Sequence, residues 1–110
     1  MTVITTNEFR KLALSFPETV ELPHFDRTSF RFNKKIFATL QTTNEIAMLK
    51  LSDENQSLYC SIDKSAIYPV PNKWGEKGAT TAILEQLSRE EVQSLIDLAY
   101  AHAVSKKPTR

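Results

Sequence analysis

Apolar positions recur at helical spacing near both ends of the chain and alternate in between. Phe9, Leu12, Ala13 and Phe16 lie three or four residues apart and form one stripe of a first helix. Thr5 with Glu8 is a capping-box pattern that starts it, and Pro17 stops it. The same spacing returns in Val92, Leu95, Ile96, Ala99 and Val104, predicting a closing helix over 89–104 with Tyr100 at its border. Ser88 and Glu91 supply a second capping box.

Between these helices the pattern is that of strands. Residues 19–26 are extended or looped, and Pro23 bars them from a central strand. In 28–32, Phe30 and Phe32 face one way, and Ser29 and Arg31 the other. Asn33-Lys34 reads as a two-residue turn into a strand over 35–41, with Ile36, Ala38 and Leu40 on one face. Thr42-Thr43-Asn44 is a second turn. Residues 45–51 are nearly all apolar and predict a central strand covered on much of both faces. Together these strands make an antiparallel meander. Ser52 caps a short helix over 53–61, with Leu58, Tyr59 and Ile62 packing inward. Strands over 66–70 and 79–85 follow, joined like a long hairpin. The expected fold is α+β: a mainly antiparallel sheet of five or six strands with the N- and C-terminal helices on one face.

Composition adds one stretch of special interest, Pro71-Asn72-Lys73-Trp74-Gly75-Glu76-Lys77-Gly78-Ala79-Thr80-Thr81. It holds the only tryptophan and both glycines of the 110 residues. Gly75 and Gly78 are the two positions where a positive φ costs little, so the tightest turn is expected here. A rigid turn that presents an indole between Lys73 and Lys77 suits a phosphate backbone or a stacked base. Trp74 fits equally well as a plug at the edge of the core.

Charge sharpens the picture only locally. The net charge is +1. Residues 27–50 carry Arg27, Arg31, Lys34, Lys35 and Lys50 against Glu45 alone, an excess of +4, whereas 85–97 carry an excess of −3. One face is therefore expected to be basic and another acidic.

Other chemistry is sparse. A lone Cys60 excludes an internal disulfide, fits a reducing compartment, and reads as a small buried, unreactive hydrophobe. His24 near Asp26 is the one candidate acid–base pair, with no nucleophile marked beside it. Cys60, His24 and His102 lack metal-ligand spacing, and two glycines cannot form a nucleotide-binding loop. No apolar run spans a membrane, and no signal peptide is visible at the N-terminus. These observations predict a cytoplasmic, monomeric protein that is not an enzyme and needs no cofactor or metal.

The order of elements and several motifs resemble the MmcQ/YjbR family along nearly the whole chain, as a single domain over 1–110. The carriers are Phe16-Pro17-Glu18-Thr19, Phe30-Arg31-Phe32 with Lys34-Lys35-Ile36-Phe37-Ala38, and Tyr68-Pro69-Val70-Pro71-Asn72-Lys73-Trp74-Gly75-Glu76-Lys77-Gly78. Leu98-Ala99-Tyr100 and Lys106-Lys107-Pro108 fit as well. The position of the family's usual second tryptophan is Ala79 here. The resemblance implies a curved antiparallel sheet similar to that of "double wing" DNA-binding domains, and DNA as the partner. The DNA-contacting candidates are then Arg31, Lys34, Lys35, Lys73, Trp74 and Lys77. The alternatives are an adaptor that anchors a protein partner through the Trp74 loop, and a small-molecule site near His24.

Overall fold

Thr5 and Glu8 close the expected reciprocal cap at 3.0 Å in both directions and launch α1 (Thr6–Leu14). Ser88 and Glu91 do the same for α4 (Arg89–Ser105). The computed structural model describes residues 4–24, 27–41, 45–62, 64–71 and 73–105. Between the two capped helices run β1 (Thr19–His24), β2 (Arg27–Phe32), β3 (Lys35–Gln41), β4 (Ile46–Lys50), α2 (Asp53–Ile62), β5 (Ile67–Pro69), the single-turn α3 (Lys73–Glu76) and β6 (Ala79–Ile83). A 3-10 turn, Leu84–Gln86, leads into α4.

The six strands form one antiparallel sheet in the order β1-β2-β3-β4-β6-β5. Proline suits the two edges, and Pro23 and Pro69 sit on β1 and β5. The Asn33-Lys34 turn forms as the sequence suggests, with φ of 54° and 75°. Positive φ at both central residues is the hairpin turn whose twist matches its strands. The Thr42-Thr43-Asn44 turn lies outside the described residues.

All the helices pack on one face. Phe30, Ala38, Leu49 and Thr80 are successive cross-strand partners, so they share a side of the sheet. Phe9 of α1 meets Phe30 there with ring centroids 5.8 Å apart. Tyr100 of α4 stacks on Phe16 at 4.3 Å and takes the edges of Phe32 and Phe37. Its hydroxyl donates to the Pro17 carbonyl at 2.9 Å, fastening the α1–β1 link to the last helix. Gln56 of α2 donates to Thr80 Oγ1 at 3.1 Å on the same side.

Five expectations are corrected. Ile36 does not share a face with Ala38 and Leu40. The register shifts between Phe30 and Arg31, so Ile36 pairs with Arg31 and Phe37 is the extra residue of a bulge. The strand expected to be central and covered on much of both faces is central but fully covered on one face only: in β4, Ala47 and Leu49 are buried while Ile46, Met48 and Lys50 are half-buried. Leu58 and Ile62 of α2 point to solvent, 55% and 58% exposed, and Tyr59 and Cys60 turn inward instead. Val104 is exposed, and Ala103 takes its place against the core. Cys60 is half-buried rather than buried, and desolvation pushes its thiol pKa up, away from the reactive thiolate.

Two ion pairs tie the helices down. Arg10 grips Glu21 of β1 through Nε and Nη2, at 3.1 and 2.8 Å, and Thr28 donates to the same carboxylate. Arg89 of α4 donates to Glu8 of α1 at 2.6 Å. The Arg10 bond holds the Glu21 pKa below its ordinary value, and the Arg89 bond does so for Glu8. A depressed folded pKa means that the unfolded chain binds protons first as pH falls. The stability these pairs lend is complete above the ordinary carboxylate pKa of about 4.3 and is lost as pH drops through the folded values. Thermal melts should therefore be flat from about pH 7 to 5 and decline below about 4.5, with a shallower decline for Glu21→Gln. An equally steep decline in that variant would contradict the assignment.

Candidate functional site

Two exposed basic elements meet at one end of the sheet. β3 and β6 both start at the end where β2 and β5 finish, as the registers Phe32–Lys35, Lys50–Ala79 and Pro69–Thr80 require. The β2–β3 hairpin tip and the β5–β6 connection therefore project from the same end, about 14 Å apart from centre to centre, with β4 between them. Lys34 and Lys35 are exposed on the first, and Lys73, Trp74 and Lys77 on the second.

The second element is a helical turn rather than an open loop. Lys77 and Gly78 donate their N–H groups to the carbonyls of Trp74 and Gly75, closing it. Gln56 of α2 donates to the Gly75 carbonyl at 2.9 Å and to that of Ala79 at 3.2 Å. The two glycines serve different needs. Gly78 has φ 106°, which only glycine adopts freely. Gly75 is buried, and a Cβ there would collide with the Val70 carbonyl oxygen. The stiffness expected of this stretch thus comes from backbone packed on backbone.

On this rigid turn Trp74 is 63% exposed, so the reading of Trp74 as a core plug is set aside. Leu51, Ala66 and Ile67, by contrast, are buried in the core. The indole stands with Lys73 and Lys77 on either side in sequence. Acidic side chains temper the charge: Glu76 shares the turn, and Asp53 and Glu54 open α2 just after β4 ends.

Arg31, the sixth candidate, is not at the tips. It lies on the sheet face opposite the helices, where its Nε donates to Ser29 Oγ at 2.9 Å. Two residues absent from the candidate set share that face. Arg27, two positions before Ser29, donates to Thr39 Oγ1 at 3.5 Å, and Lys50 lies on β4 with Ile46 and Met48. The period of two in Arg27-Thr28-Ser29-Phe30-Arg31 was the available signal. Starting the strand at Thr28 hid it for Arg27, and treating β4 as covered on both faces hid Lys50.

The acid–base reading of His24 and Asp26 falls outside the described side chains. Among the described residues, no three His, Cys, Asp or Glu groups converge to hold a metal ion. No described helix is long and apolar enough to cross a membrane.

The crystal structure of the Deinococcus radiodurans protein DR2400, a DUF419-domain protein, superposes with a TM-score of 0.81. The match covers 93% of this chain and 80% of that one at 19% identity, so the likeness is one of fold. No curated protein matches the sequence. The YjbR family model matches residues 14–102, which include the hairpin tip, the Trp74 turn and most of α4. The chain belongs to the YjbR family.

Proposed function

We propose that the protein binds DNA weakly and without strong sequence preference, through the basic tips at one end of its sheet. The observation that carries this reading is the exposed Trp74 on a glycine-locked turn beside Lys73 and Lys77, brought to the same sheet end as Lys34 and Lys35. An indole offers a stacking face, and the ammonium groups offer phosphate contacts. No described helix lies free to enter a major groove with base-reading side chains, so contacts to the backbone dominate. The offset from Glu76, Asp53 and Glu54 keeps the affinity low.

Gel-shift titration of a DNA duplex across salt tests this. Each phosphate contact adds about −0.9 to the log–log slope, so four tip lysines give a slope of roughly −3 to −4. Lys73→Glu with Lys77→Glu should abolish binding and leave the melting temperature near that of the parent, since both side chains are exposed. Retained binding by that variant would sink the assignment of the site.

The adaptor reading has one observation in its favour. Leu58 and Ile62, one turn apart on α2, are exposed, as is Trp74, so each offers an apolar anchor. Absence of DNA binding at low salt would make it the better reading.

A further inference from the structure

Among the described strand residues, the charged side chains on the sheet face opposite the helices are all cationic. Alternation from the cross-strand pairs places Arg27, Arg31 and Lys50 on it. Among the described strand residues it holds no carboxylate, because Glu21 of β1 turns to the helix side to meet Arg10. An uncovered antiparallel face is ordinarily solvated and mixed in charge. Here the three cations come from β2 and β4, roughly 10–16 Å apart by strand spacing and rise.

The arginines are held in place. Ser29 and Thr39 are buried at the middle of this face, and each takes a guanidinium hydrogen bond, from Arg31 and Arg27 respectively. Ser29 in turn donates to the Leu22 carbonyl of β1, so its oxygen is fixed. Beside the arginines, Val20 pairs with Arg31 and Leu22 with Ser29. These two apolar side chains are 51% and 43% exposed on the same face. Tyr68 is half-buried on β5 at the far side.

We propose that this helix-free face is a platform for single-stranded nucleic acid, with Arg27, Arg31 and Lys50 holding phosphates and the apolar and planar groups taking unstacked bases. Charge complementarity selects a polyanion. Shape selects a single strand: six strands span about 24 Å, twice the roughly 12 Å width of a major groove. A flat surface cannot enter duplex DNA, whereas splayed bases lie on apolar side chains, aromatic rings and guanidinium planes. The inference deepens the nucleic-acid reading above but uses different residues from the tips.

The test is fluorescence anisotropy with the full chain and two probes, labelled oligo(dT) of about 20 nucleotides and a duplex of equal length. The single strand should bind about tenfold more tightly, the scale of one stacked base. Arg27→Glu with Lys50→Glu should weaken oligo(dT) binding by at least tenfold and leave the duplex unchanged. Lys73→Glu with Lys77→Glu should do the reverse. Melting curves confirm that each variant is folded, and Arg27→Gln with Lys50→Gln replaces the first pair if reversal unfolds the chain. Preference for the duplex, or oligo(dT) binding insensitive to Arg27 and Lys50, overturns this inference alone. Failure of both probes at low salt overturns it together with the tip reading.

Discussion

Gly78→Ala is expected to destabilise the protein by about 2–4 kcal/mol, and Gly75→Ala by a similar amount. At Gly78 the cost has two parts. An alanine would have to hold φ at 106°, and its Cβ would press on the Leu51 carbonyl oxygen. That carbonyl cannot easily retreat, because the Leu51 N–H is bonded to the Gly78 carbonyl at 2.9 Å. At Gly75 the backbone is helical and alanine would gain up to about 1 kcal/mol of propensity. The Cβ, however, meets the Val70 carbonyl oxygen, and Val70 is held by its N–H bond to Ala79 at 3.0 Å. Backbone must move against backbone in both cases. A domain of this size has about 5–15 kcal/mol in total, so the double variant should lose about 4–8 kcal/mol, a large part of the whole. Urea titration reads this directly. Midpoints close to that of the parent would show that the turn can relax, and that Trp74 is not rigidly held.

The second large effect is a contrast between two aromatic residues. Phe30→Ala should cost about 3–5 kcal/mol, since the ring is fully buried against Phe9 and truncation leaves a cavity between sheet and helix. Trp74→Ala should stay within about 1 kcal/mol of the parent, because most of the indole is already in water. Its effect should appear in DNA affinity instead. A loss of stability by Trp74→Ala comparable to that of Phe30→Ala would restore the reading of Trp74 as part of the core.

The elements were legible because their local rules agree. Both capping boxes, the strands of the meander and the Asn33-Lys34 turn each follow from a few neighbouring residues. What escaped was decided by partners distant in sequence. The bulge at Phe37 is a property of two strands together, and it moved Ile36 to the other face. Leu58 and Ile62 match an apolar stripe, yet α2 docks through Tyr59, Cys60 and Gln56, because Gln56 bonds the buried end of β6. The same limit applies to the site. The Trp74 turn was visible as a cluster of rare residues, whereas the cationic sheet face joins Arg27 and Lys50 across three strands. Only the register shows that they look the same way.

Pro23 and Pro69 have a further consequence for how this protein meets others. Each outermost strand contains a residue without an N–H, and β5 is only three residues long. Neither margin offers a full ladder of donors and acceptors to an incoming chain, which is how natural sheets avoid being extended. Recruitment of a peptide by strand addition is therefore weakened at both margins. So is growth of the sheet into a fibre, even with Val20 and Leu22 in water at one margin. Recognition is left to side chains, on the turns and on the open face.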